Sequence, residues 1–140
     1  MIAYFDTSAL IPLLIDEPGS EAAGQFWDRA LRVVSVRLVP VEARAALAHA
    51  ARAKRISRTQ LRAFVRELDG LLDQLDLVDV DEALVRNAAD LAESHSLRAY
   101  DAVHLAAALA AASDDLVVVA GDRALVSAAS VVGLATGAVG

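Results

Sequence analysis

The sequence predicts a three-layer α/β/α fold built on a mainly parallel sheet of four to five strands. Short apolar runs alternate with helical stretches from end to end, and strands separated by helices call for right-handed crossovers and parallel pairing. The clearest run, Leu116–Ala120, reads Leu-Val-Val-Val-Ala with no polar break, the pattern of a strand covered on both faces. With 140 residues the chain has room for one domain and one useful core, so residues 1–140 are read as a single domain.

The elements follow in order. Ile2–Phe5 is the first strand. Ser8–Ile15 and Ser20–Leu31 read as helices on either side of the turn signal Glu17–Pro18–Gly19. Val33–Val36 is the second strand, and Pro40 suits the first turn of a helix running to about Arg55. Ser57 then caps a helix over Arg58–Leu75. Leu77–Val80 is expected as the third strand, Glu82–Ser94 and Ala99–Ala112 as helices, and Leu116–Ala120 as the fourth strand. A short helix follows Asp122, and Val132–Thr136 is expected to be a last edge strand.

Composition excludes several classes. At 56% hydrophobic the chain is too apolar for disorder. No charge-free run reaches the ~18 apolar residues of a membrane span, and the N-terminus lacks the basic start and apolar core of a signal peptide. No membrane association and a cytoplasmic address are therefore expected. The absence of cysteine rules out disulfides, thiolate metal sites and cysteine nucleophiles. The net charge of −6 hides a local reversal. Between Arg44 and Arg66 lie seven basic residues and no acid, which leaves 6 basic against 19 acidic residues elsewhere.

In open α/β sheets, sites form beyond the carboxyl ends of the strands. Asp6 directly follows the first strand, and Asp122 follows the fourth after Gly121. Glu42 lies in the first turn of the helix after the second strand, and Asp101 lies early in the helix before the fourth. Singly, Asp6 and Asp122 read as helix caps and Glu42 as a first-turn acid favoured by the helix dipole. Asp101 is harder to dismiss, because its helix is otherwise apolar and a buried charge needs a partner or a metal. Four carboxylates in one cleft repel one another, and a divalent cation removes that penalty. Oxygen ligands without Cys or ligand-spaced His favour Mg²⁺ or Mn²⁺ over Zn²⁺. Such a cation activates water and stabilises charge on a phosphodiester.

These residues carry a family resemblance. Tyr4–Phe5–Asp6–Thr7–Ser8–Ala9–Leu10 resembles the N-terminal signature of PIN domains. Val41–Glu42–Ala43–Arg44 resembles their second acidic position, Leu97–Arg98–Ala99–Tyr100–Asp101–Ala102–Val103–His104–Leu105–Ala106 their third, and Gly121–Asp122–Arg123–Ala124–Leu125 their fourth. Each motif is weak alone; the four in this order are specific and cover the whole chain. The compact size resembles VapC-type toxins of bacterial toxin–antitoxin pairs. The resemblance implies a PIN-like fold and cleavage of RNA by activated water, dependent on Mg²⁺ or Mn²⁺. It implies Asp6 and Asp101 as main metal ligands, Glu42 as a ligand through water or a help in deprotonating the attacking water, and Asp122 as completing the site, for the same metal or a second one. Ser8 (or Thr7) would orient Asp6 or a metal-bound water. It also implies a homodimer and a cognate VapB-like antitoxin. One position departs: Ala120 stands where many relatives carry Thr or Ser, so a hydroxyl that would support Asp122 is missing.

Further residues carry two readings each. Arg58, Arg62 and Arg66 share a face at i, i+4, i+8 spacing. Arg44 is two residues from Glu42, and Arg98 flanks the third motif. They form either a solvated surface or the wall of an RNA path. His104 shares a helix face with Asp101 and reads as a core histidine or a support for a ligand. Phe26 and Trp27 read as core or dimer interface rather than as stacking platforms. A phosphotransfer receiver needs a lysine at a late strand end, and Lys54, the only lysine, is misplaced. A haloacid-dehalogenase-type phosphatase needs a second Asp where this chain has Ser8. The alternative to a ribonuclease is a non-catalytic PIN scaffold that binds RNA or protein.

Overall fold

Two apolar runs, Ile2–Phe5 (β1) and Leu116–Ala120 (β4), pair in parallel at the centre of the sheet, with Ile2 opposite Leu116 and Phe5 opposite Val119. The computed structural model describes all 140 residues. Arg32–Val36 (β2) lies on the other side of β1, and Leu75–Val78 (β3) lies beyond it. Ala135–Ala138 (β5) borders β4. All four pairings are parallel, in the order β3-β2-β1-β4-β5.

Helices cover both faces, completing the α/β/α layers. Alternation along β1 sends Tyr4 to one face and Ala3 and Phe5 to the other. Over Tyr4, Val34, Val36 and Val118 pack Glu82–His95 (α5), Ala99–Ala110 (α6) and Arg123–Val131 (α7). Over Ala3, Phe5, Val33 and Val119 pack Thr7–Leu10 (α1) and Ser20–Arg29 (α2). Val39–Arg52 (α3) and Arg58–Gln74 (α4) form a hairpin with its own small core around Leu47, Ile56 and Leu68. No helix is long and apolar enough to cross a membrane.

Several boundaries differ from the sequence reading. The helix expected over Ser8–Ile15 stops at Leu10 and tightens into a 3₁₀ turn over Ile11–Leu13, because Pro12 cannot donate and its ring clashes one turn back. Helix α3 ends at Arg52 rather than Arg55, and Lys54 turns the chain with a left-handed φ of 60°. Ser57 and Gln60 form a reciprocal capping box that starts α4. β3 begins two residues earlier than expected, since α4 runs into it without Gly or Pro. The last strand is Ala135–Ala138, not Val132–Thr136, because α7 extends to Val131 and Gly133, with a φ of 92°, makes the turn.

Candidate active site

Each strand-end aspartate caps the helix it introduces. Asp6 leaves β1 and accepts from the Ala9 amide at 3.1 Å. Asp122 leaves β4 and accepts from the Leu125 amide at 3.0 Å. Both capping bonds use Oδ1, so capping and a site role coexist.

Ser8 joins the two strand ends. Its hydroxyl lies 2.7 and 2.8 Å from the two Asp6 carboxylate oxygens and donates to that group. The same oxygen accepts the amides of Gly121 at 2.8 Å and Asp122 at 3.2 Å. Gly121 leaves room for this approach: a Cβ would sit 3.0 Å from the Val139 carbonyl oxygen, tight enough to push on it, and 3.4 Å from Ser8 Oγ. Ser8 thus supports the Asp122 backbone, while the Asp122 carboxylate is held by Arg98 and the Leu125 amide.

The other two acids arrive from helix first turns. On α3, Glu42 Oε1 accepts from Thr7 Oγ1 at 3.2 Å and lies 2.8 Å from His104 Nε2. Both contacts use Oε1, which leaves Oε2 without a protein donor. On α6, Asp101 is buried and its Oδ2 accepts from Arg98 Nε at 3.2 Å. The same guanidinium donates to Asp122 Oδ2 at 2.8 Å. Asp6, Ser8, Glu42, Asp101 and Asp122 therefore line one pocket, together with Thr7, Arg98, Tyr100 and His104.

Burial pushes the Asp6 carboxyl up to about 6, with His104 nearby and the bonds from Ser8 and Ala9 offsetting part of that. Burial also pushes the Tyr4 hydroxyl well up, so it remains a donor. Asp101, above all, and Asp122 raise the Arg98 guanidinium further. The donor chemistry fits a hard divalent cation: the available ligands are carboxylate oxygens, and desolvated Asp6 has no cationic side chain bonded to it. As placed, no three acidic or histidine side chains gather around one point, and Arg98 bridges two of the four acids.

The basic residues separate into two places. Arg98 turns inward to the carboxylates, whereas Arg44, Arg58, Arg62 and Arg66 line a second pocket between α3 and α4, with Leu61 and Val65. Those four arginines make no ion pair, unlike Arg32, Arg37, Arg55 and Arg86.

Residues 3–131 match the PIN domain family model. The chain belongs to the PIN-domain family. It is 39% identical over 132 residues to Ribonuclease VapC45 of Mycobacterium tuberculosis, covering 94% of this chain and 92% of that protein. The fold is similar to PAE2754 from Pyrobaculum aerophilum, with a TM-score of 0.72 at 23% identity over 97% of this chain and 89% of that one. It is also similar to VapBC2 from Rickettsia felis bound to a promoter DNA fragment, with a TM-score of 0.65 at 14% identity and full coverage of both chains.

Within this PIN domain, three features escaped the sequence. Tyr4 OH lies 2.8 Å from His104 Nδ1, which continues the Glu42 contact into the core. Thr7 donates to Glu42, while of the two hydroxyls it is Ser8 that bonds Asp6. Tyr100, adjacent to Asp101, stands exposed on the pocket wall. Phe26 and Trp27 pack as structure: Phe26 lies over Gly137, and the Trp27 ring meets Phe5 edge-on at 5.3 Å.

Proposed function

We propose that this PIN domain is a metal-dependent endoribonuclease that hydrolyses RNA phosphodiester bonds, and that it is the toxin of a VapBC-type pair. The observation that carries the reading is the meeting of Asp6, Glu42, Asp101 and Asp122 in one pocket, with Asp6 desolvated. The likeness to a protein named Ribonuclease VapC45 supports the choice of RNA.

Asp6 and Asp101 would hold a Mg²⁺ or Mn²⁺ ion, with Glu42 and Asp122 contributing from the remaining sides. Bound there, the cation would lower the pKa of a water and stabilise charge on the phosphodiester. Ser8 fixes the Asp6 carboxylate, and Thr7 and His104 hold Glu42 by one oxygen so that the other faces the reaction. Glu42 is placed to take the proton of the attacking water. Arg98 is exposed, neutralises Asp101 and Asp122, and would contact a substrate phosphate at the pocket mouth. Arg44, Arg58, Arg62 and Arg66 would hold the RNA backbone away from the chemistry. The likeness to Ribonuclease VapC45 and to VapBC2 bound to a promoter DNA fragment supports a small VapB-like antitoxin as the partner here, and a homodimer is part of the same reading.

The test is RNA cleavage by the purified, antitoxin-free protein with Mg²⁺ or Mn²⁺, with chelator, and with Asp101→Asn. Cleavage that needs metal and is lost in the variant is the expected result. A folded protein that cuts nothing in a total cellular RNA pool would give the chain to the binding-scaffold reading.

A further inference from the structure

Six aromatic side chains occur in the sequence, and the fold removes five of them from the surface. Tyr4 and Phe5 are fully buried, and Phe26, Trp27 and Phe64 are partly buried against the cores. Tyr100 is 63% exposed. It is also the single hydrophobic residue on the wall of the carboxylate pocket, next in sequence to Asp101. Its hydroxyl bonds no protein group, and its ring belongs to no core cluster. Packing therefore does not account for a tyrosine at this position.

We propose that Tyr100 is a stacking platform for an unpaired RNA base beside the phosphodiester that is cut; this rests on the ribonuclease reading above. An aromatic face in a charged pocket suits a nucleobase, which offers a π-face to the ring and polar edges to its surroundings. A protein partner would bring a contiguous apolar surface, whereas Tyr100 is flanked by Arg98 and Asp101 and is the lone apolar wall residue. The proposal narrows the substrate. A base stacked inside a duplex cannot reach the ring, so the cut falls in a single strand, a loop or a bulge.

The experiment compares wild type with Tyr100→Phe and Tyr100→Leu. Polarisation is read for a short labelled single-stranded RNA, and for the same strand with one abasic residue walked along it, in chelator to prevent cutting. Tyr100→Phe should bind like wild type. Tyr100→Leu should bind the intact strand about 5- to 100-fold more weakly, the range expected for one stacked base. It should also lose the wild-type discrimination against one abasic position. Tyr100→Trp should show emission quenched by the intact strand and not by that abasic strand, over the constant signal of Trp27. Unchanged binding by Tyr100→Leu overturns the proposal, as does equal weakening on every strand. Loss of a dimer on size exclusion with RNA binding intact gives the ring to a second copy and overturns it too. Cleavage by wild type with Mn²⁺ alongside an unaffected Tyr100→Leu sinks the stacking role alone; no binding and no cleavage by wild type sinks both readings.

Discussion

His104 places its Nε2 2.8 Å from Glu42 Oε1, and so ties a pocket carboxylate to a buried strand. Its other ring nitrogen lies 2.8 Å from the Tyr4 hydroxyl on β1, with the two rings edge to face at 5.9 Å. An ionised Glu42 can only accept, so in a neutral imidazole Nε2 carries the proton and Nδ1 accepts from Tyr4. Both His104 ring nitrogens and the Tyr4 hydroxyl are then satisfied, and no buried side-chain polar atom in the protein lacks a partner.

That chain should be energetically continuous. Tyr4→Phe leaves Nδ1 unpaired in the core and should cost about 1–2 kcal/mol in urea unfolding. A double-mutant cycle between Tyr4→Phe and Glu42→Gln should give a coupling of at least ~0.5 kcal/mol although the two side chains do not bond each other. Additive effects would mean that His104 merely fills space.

Asp6 gives a pH dependence of definite sign. Its folded pKa of about 6 lies above the ordinary value of 3.8, so between those values the folded state holds the proton more tightly than the unfolded chain. The stabilisation is fully present below about pH 4 and is lost as pH rises through 6. A shift of this size corresponds to a contribution on the order of 2–3 kcal/mol. Asp6→Asn should therefore be more stable than wild type near neutral pH in the absence of metal. Added Mg²⁺ should raise the wild-type Tm there and leave the variant's much less changed. A less stable variant at pH 7.5 would contradict the assignment.

Arg98 occupies the Oδ2 atoms of Asp101 and Asp122, so a divalent cation bound by those carboxylates would compete with it. Arg98→Gln should bind Mn²⁺ more tightly than wild type in calorimetry without RNA, since the local negative charge is no longer offset. Weaker Mn²⁺ binding in the variant would make Arg98 an organiser of the acids instead of a rival.

The arginine groove predicts a salt signature. Simultaneous Arg58→Ala, Arg62→Ala and Arg66→Ala should weaken RNA binding and reduce the slope of log K against log salt by about 2, since each single-strand phosphate contact contributes ~0.7. An unchanged slope would assign the three side chains to solvent.

The central strands were legible because their signal is local: Ile2–Phe5 and Leu116–Ala120 are apolar without interruption, and both bounds held. β5 was not. Its Thr136 and Gly137 make a poor strand by themselves, and pairing with β4 and a Phe26 ring seated where a side chain at 137 would have to go select them. The acids were placed by one rule about strand ends and helix first turns, and they line one pocket without gathering around one point. What holds them was hidden, because Ser8 reaches Gly121 and Tyr4 reaches His104 across 113 and 100 positions of chain. No periodicity or cap motif encodes such a contact.

The strand order has a bearing on how this protein is made. β1 leaves the ribosome long before β4, its neighbour at the middle of the sheet. Until then Asp6, Glu42 and Asp101 exist without Asp122, and Ser8 has no Gly121 amide to accept. The pocket therefore cannot form on a growing chain. Whatever chemistry it performs is withheld until β4 and Asp122 have been made and pair against β1.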